Sequence, residues 1–157
     1  MFGQFSLCKK ISYAINMKTK HEFKIIVLED SDFYNNVLTQ QLKNYTDAIA
    51  IDKGYSFNIE SYRNANDCLR NLKPETDIAF VDYYLGEGIN GISVLKKIKE
   101  KCKDCKIIIM SQVTTLKTSL QSINYGASDF IAKDRFALTR SCYIVEEIIN
   151  ERIRAGI

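Results

Sequence analysis

The chain has 157 residues, 46% of them apolar and 26% charged, and carries a net charge of +3. That is one domain of ordinary size with chain enough for a full core, and its balance of apolar and charged residues excludes a disordered chain. So small a charge does not argue for nucleic acid, and it is unevenly placed: Lys9, Lys10, Lys18 and Lys20 stand against Glu22 in residues 1–22, which leaves residues 23–157 neutral.

No apolar run approaches the ~20 residues of a membrane span. Phe2 to Ile15 comes nearest to a signal sequence, but Lys9 and Lys10 interrupt it and no small-residue cleavage site follows. Phe2, Phe5, Cys8, Ile11 and Ile15 fall near helical spacing. Residues 1–22 therefore read as an N-terminal extension with two readings open: an amphipathic helix, or sequence upstream of a true start at Met17. A domain follows over residues 23–157.

Within that domain, five short apolar runs alternate with helical patterns. Lys24–Leu28 is the first run, and Phe33, Val37, Leu38, Leu42 and Tyr45 then share one helical face. Tyr55–Ile59 alternates like a half-exposed edge strand; Cys68, Leu69 and Leu72 predict a short helix that stops before Pro74. Ile78–Val81 leads through the turn signal Asn90-Gly91 to Ile92, Val94, Leu95 and Ile98. Ile107–Met110 precedes Leu116, Leu120 and Ile123, with Gly126 as the helix stop. Phe130–Ala132 precedes the last face: Leu138, Cys142, Val145, Ile148, Ile149 and Ile153. The continuously apolar first, third and fourth runs suit central parallel strands covered on both faces. Such alternation predicts an α/β fold of right-handed βαβ units. Only residues 155–157 follow the last helical pattern, so no output domain is expected after it.

Five cysteines without a framework spacing read as reduced thiols of a cytoplasmic protein. Cys102 and Cys105 form a CxxC, but His21 is the only histidine and no second pair completes a zinc site. The expectation is a polar loop that holds two thiols.

The chemistry lies where the apolar runs end: the first in Glu29-Asp30, the third in Asp82, the fourth in Ser111, the fifth in Lys133. In an open parallel sheet, ligands bind at the carboxyl ends of the strands. A single carboxylate after a strand is often only a helix cap. Three gathered at one rim repel and call for a cation. Oxygen ligands alone favour Mg²⁺, and an ammonium from another strand suits a phosphoryl oxygen.

This order of acidic pair, Asp, Ser and Lys resembles the receiver (CheY-like) domain of bacterial response regulators. Ile26-Val-Leu-Glu-Asp-Ser31, Phe80-Val-Asp-Tyr-Tyr-Leu85, Asn90-Gly-Ile-Ser-Val-Leu95, Ile109-Met-Ser111 and Gly126-Ala-Ser-Asp-Phe-Ile-Ala-Lys133 carry the likeness, which covers about residues 23 to 153. It implies a flavodoxin-like, doubly wound (βα)5 domain with a five-stranded parallel sheet of order 2-1-3-4-5. It implies Asp82 as phosphoacceptor, and Asp30, Asp82 and the Tyr84 backbone carbonyl as Mg²⁺ ligands with Glu29 acting through water. Ser111 would be the switch hydroxyl, Phe130 the switch aromatic and Lys133 the phosphoryl-binding lysine. Three residues depart from the family pattern: Gly86 and Asp134 where Pro is common, and Gln112 where a small residue is usual.

The resemblance implies a phosphohistidine donor, either a sensor histidine kinase or a phosphotransfer protein, and a single-domain switch rather than an enzyme. Its output would pass to a protein partner or through a dimer on the last two helices, with no direct nucleic acid and no membrane span. Two other readings stand beside it. A Mg²⁺-dependent phosphohydrolase with an Asp nucleophile needs a second acid two residues on, where this chain has Tyr84. A pseudo-receiver would bind proteins without being phosphorylated.

Overall fold

A computed structural model describes residues 21–156. The strands are β1 (Glu22–Leu28), β2 (Ser56–Tyr62), β3 (Ile78–Asp82), β4 (Lys106–Ser111) and β5 (Asp129–Ala132). Between and after them run α1 (Asp32–Lys53), α2 (Ala65–Asn71), α3 (Gly91–Lys101), α4 (Leu116–Asn124) and α5 (Ala137–Arg154). All strand pairs are parallel, in the order β2-β1-β3-β4-β5, as expected. β1 takes in Glu22, and β2 runs on to Tyr62 rather than ending at Ile59. The rest of the candidate amphipathic segment, residues 1–20, lies outside the described residues.

Alternation along the strands sorts the core into two halves. Phe23, Ile25, Val27, Ile78, Phe80, Ile108, Met110 and Ile131 face Leu38 and Leu42 of α1 and Cys142, Val145 and Ile149 of α5. Ile26, Leu28, Ala79, Val81, Ile107 and Ile109 face Cys68 of α2 and Val94, Leu95 and Ile98 of α3. Each buried Val, Leu, Ile, Phe or Met among them stabilises the fold by about 1.5–3 kcal/mol.

Local chemistry starts and stops the helices. Ser31, Asn64, Asn90 and Thr115 cap four of them, each side chain accepting a hydrogen bond from the N–H three residues on. Gly54, at φ 70°, closes α1.

Three expectations are corrected. Phe33 is not on the inner face of α1: it is 76% exposed. Buried Asn35 sets the phase of the helix there, its side-chain amide donating to the carbonyls of Glu29 and Tyr62 at 3.0 Å each. Leu116, Leu120 and Ile123 do lie on a helix, but point outward, Leu116 being 75% exposed. The residues α4 buries are Thr118 and Ser122, whose hydroxyls bond to backbone carbonyls of their own helix, so small side chains let α4 sit close to the sheet. Finally, the Cys102–Cys105 turn is not polar at its thiols. Both are buried in the half of the core under α2 and α3, and the Cys102 thiol donates to the carbonyls of Pro74 and Thr76.

Candidate phosphoryl and metal site

Parallel register aligns Leu28 with Val81, Asp82 with Met110, and Ser111 with Ala132. The residues at and just beyond those positions, Glu29, Asp30, Asp82, Ser111 and Lys133, therefore meet at one edge of the sheet. Two backbone bonds fasten that edge: Lys133 N–H to the Ser111 carbonyl at 2.8 Å and Tyr83 N–H to the Met110 carbonyl at 2.8 Å.

Glu29 and Asp82 are buried and Asp30 is exposed. Each of the three can place a carboxylate oxygen within 4.8 Å of the other two. Lys133, its side chain only 4% exposed, reaches Glu29 Oε2 at 2.5 Å and Asp82 Oδ1 at 3.0 Å. One ammonium thus serves two buried carboxylates with a third beside them. Burial pushes Glu29 above the usual carboxylate range, Lys133 pulls it back, and Asp82 pushes it up again. Burial likewise raises Asp82 against the pull of Lys133 and of the Tyr84 N–H, with Asp30 adding to the rise. An oxygen-only cluster with one solvent-facing member fits a hard divalent cation that keeps part of its water, as Mg²⁺ does. Glu29 is held directly by Lys133 and by the Ser31 N–H at 3.1 Å.

The loop after Asp82 is a small hairpin. Tyr84 pairs with Asn90, and the Leu85 N–H bonds to the Ile89 carbonyl at 3.0 Å. Gly86, Glu87 and Gly88 have φ of 55°, 48° and 76°. Proline, fixed near −65°, cannot take that path; moreover, a Cβ at Gly86 would stand 3.3 Å from Asp30 Oδ2. Gly91 is tighter still, with the Asp82 carbonyl oxygen 2.5 Å from where its Cβ would be. Asp134, the other departure at a proline position, accepts from the Phe136 N–H at 2.8 Å and leads into α5. Gln112 is exposed beside Ser111.

Ser111 is fully buried and faces the next loop: its hydroxyl donates to the Val113 carbonyl at 3.0 Å and accepts from the Val113 N–H at 3.1 Å. Phe130 is half-buried against the α3 half of the core. Two tyrosines of the site were not singled out in the sequence. Tyr83 is buried, and its hydroxyl donates to Gln121 of α4 at 3.1 Å. Tyr34, in the first turn of α1, lies under Lys133, with the ammonium 4.6 Å from its ring centroid. The helical spacing of Tyr34 gave no sign of this, because the contact comes from the last strand.

The architecture is thus a flavodoxin-like α/β domain with an acidic, lysine-bridged pocket at the carboxyl edge of its sheet. Residues 25–140 match the response regulator receiver domain, and the chain belongs to that family. Members are phosphorylated on aspartate in two-component systems and bind Mg²⁺ in an acidic pocket. An NtrX-like response regulator of Rickettsia conorii is 26% identical over 133 residues, which cover 80% of this chain and 26% of the relative. The chain therefore spans about a quarter of that curated relative's length. The beryllofluoride-activated DrrB receiver domain superposes with a TM-score of 0.66 at 17% identity, covering 82% of this chain and 98% of its own. The solution structure of the beryllofluoride-activated NtrC4 receiver domain dimer gives 0.66 at 19% identity, with 82% and 97% covered. At such identities both speak for the fold alone. Among the described residues, no helix is long and apolar enough to cross a membrane.

Proposed function

We propose that this receiver is a phosphoacceptor switch in which Asp82 takes a phosphoryl group from a phosphohistidine of a sensor kinase or phosphotransfer protein. The observation that carries the reading is the cluster of Glu29, Asp30 and Asp82 bridged by Lys133. An Asp82 carboxylate oxygen attacks phosphorus, the phosphorus–nitrogen bond breaks, and the imidazole leaves with the electron pair and takes up a proton. Asp30, Asp82 and the Tyr84 carbonyl would hold Mg²⁺, with Glu29 reaching it through water; when bound, the cation offsets charge on the transferring oxygens. Lys133 neutralises one of those oxygens. The protein assists its own phosphorylation and is not an enzyme on other substrates.

Output follows from the Ser111 contacts. To donate to a phosphoryl oxygen, Ser111 must give up its donation to the Val113 carbonyl, two residues before the Thr115 cap of α4. Phe130 turns into the space so vacated. Moving a two-state element from 1:99 to 99:1 takes about 5.5 kcal/mol. Two or three charge-assisted bonds at about 1.5–3 kcal/mol each supply it. The freed helix carries exposed Leu116, Leu120 and Ile123, and Phe136 and Tyr143 at the start and middle of α5 are exposed as well; such apolar side chains suit a protein partner or a second copy.

Acetyl phosphate with Mg²⁺ is the test. Wild-type protein should acquire an acid-stable, base-labile label and Asp82→Asn none. A label that persists in Asp82→Asn, or forms in chelator, overturns the assignment; an unlabelled wild type leaves the phosphorylation-independent module.

A further inference from the structure

Lys133 has three neighbours of different kinds: the Glu29 carboxylate, the Asp82 carboxylate and the face of the Tyr34 ring. If the proposed function holds, the first two are claimed by others in the loaded site. Phosphorylation would turn one Asp82 oxygen into a bridging oxygen, and Glu29 would turn toward the water of a bound cation. Each change weakens its hold on the ammonium, which must stay aimed at the phosphoryl oxygen it neutralises. The ring is neutral, competes for neither metal nor phosphoryl group, and presents a negative quadrupole face to a cation in a site screened from water.

The rest of Tyr34 is consistent with use of the ring alone. Its hydroxyl is buried and pairs with no atom among the described residues, an arrangement that costs stability and that phenylalanine would avoid. The ring packs on the core half under α1 and α5, and the Ser31 cap fixes its helical turn by accepting the Tyr34 N–H at 3.3 Å. The long, flexible stem of a lysine leaves its head free to wander unless something holds it. We infer that Tyr34 is a positioning residue: its ring face keeps the Lys133 ammonium in the pocket when the carboxylates turn to metal and phosphoryl group.

The experiment compares wild type, Tyr34→Phe and Tyr34→Leu, each with Lys133 and with Lys133→Gln. Acetyl phosphate labelling and beryllofluoride affinity are measured in Mg²⁺, and urea unfolding in chelator. Tyr34→Phe should label like wild type and unfold at an equal or higher urea concentration. Tyr34→Leu should lose about two- to thirty-fold in labelling efficiency and beryllofluoride affinity. In the Lys133→Gln background the same leucine should cost little more, and the coupling should also appear in the chelator midpoints. The role of Tyr34 is overturned if Tyr34→Leu behaves as wild type, if its loss persists undiminished without Lys133, or if Tyr34→Phe loses as much. Wild-type protein that neither labels nor binds beryllofluoride overturns the site reading and this inference with it.

Discussion

Buried carboxylates stand at both edges of the sheet, but in different company. At the amino-terminal edge, Asp77 accepts the Lys24 backbone N–H at 2.8 Å and pairs with Arg152 Nε at 3.2 Å. Arg152 also donates to the Asp104 carbonyl at 2.9 Å, so α5 is tied to the strands by one cation matched to one anion. At the carboxyl edge one ammonium is shared by two buried carboxylates, with Asp30 beside them. A matched pair holds a fold together; an unmatched cluster stores repulsion that an incoming cation can relieve. The difference separates a structural ion pair from a site better than the mere presence of buried acids does.

Substituting one acid at each edge should produce the largest contrast. Asp77→Ala leaves Arg152 without its partner and should cost about 3 kcal/mol of stability, while labelling per folded molecule stays intact. Asp82→Asn leaves Lys133 matched to Glu29 alone, so it should abolish labelling and hold or raise stability in chelator. Urea unfolding and acetyl phosphate labelling of both variants check this. If Asp82→Asn destabilises as much as Asp77→Ala, the two edges are alike and the comparison fails.

A second contrast comes from pH. Burial first, then like charge, raises Glu29 and Asp82 above their ordinary values. Without a cation, the folded chain keeps protons that the unfolded chain has already released. Its stability should therefore fall as pH rises from the ordinary carboxylate range, about 4, through the raised values. Cation binding needs the ionised forms, so Mg²⁺ should oppose that fall. At one hundred times Kd the gain at neutral pH is about 2.7 kcal/mol, and Asp30→Ala should remove most of it. Melting curves across pH in chelator and in Mg²⁺ decide: a profile indifferent to both breaks the picture of an unmatched edge.

Much of this was legible in the sequence because strand ends are legible. Once Ile78–Val81 and Ile107–Met110 are read as buried parallel strands, Asp82 and Ser111 must reach the same edge. What escaped depends on the phase of helices and on contacts between distant segments. Phe33 was expected inward because it is apolar, yet the Asn35 bonds to Glu29 and Tyr62 turn it outward. Tyr34 meets Lys133 only after β5 is in place. The charged neighbours of Cys102 and Cys105 suggested a polar turn, although both thiols point into the core. Hydrophobic spacing marks a helix well, but which of its faces packs is settled by the sheet beneath it.

The smallest expected effect concerns how long the acyl phosphate lasts at the unmatched edge. Hydrolysis needs a water aligned opposite the Asp82–oxygen–phosphorus bond, so access and orientation set the rate. Tyr84 and Val113, two residues after Asp82 and Ser111 respectively, are half-exposed, and Gln112 between Ser111 and Val113 is exposed. Tyr84 is a bulky phenol with no basic group at neutral pH. Val113 has no side-chain group to orient water. Gln112 carries the one amide of the three, which would either block the path or position a water. The first outcome is expected, because no neighbouring base accompanies the amide on these three residues. The acyl phosphate should then decay over many minutes to hours rather than seconds. Tyr84→Asn, which replaces a bulky ring with a small water-orienting amide, and Gln112→Ala, which opens the path, should each shorten the lifetime several-fold. Decay of labelled protein after donor removal measures it. A wild-type lifetime of seconds, or one unchanged by both substitutions, would show that water reaches phosphorus by a route these side chains do not guard.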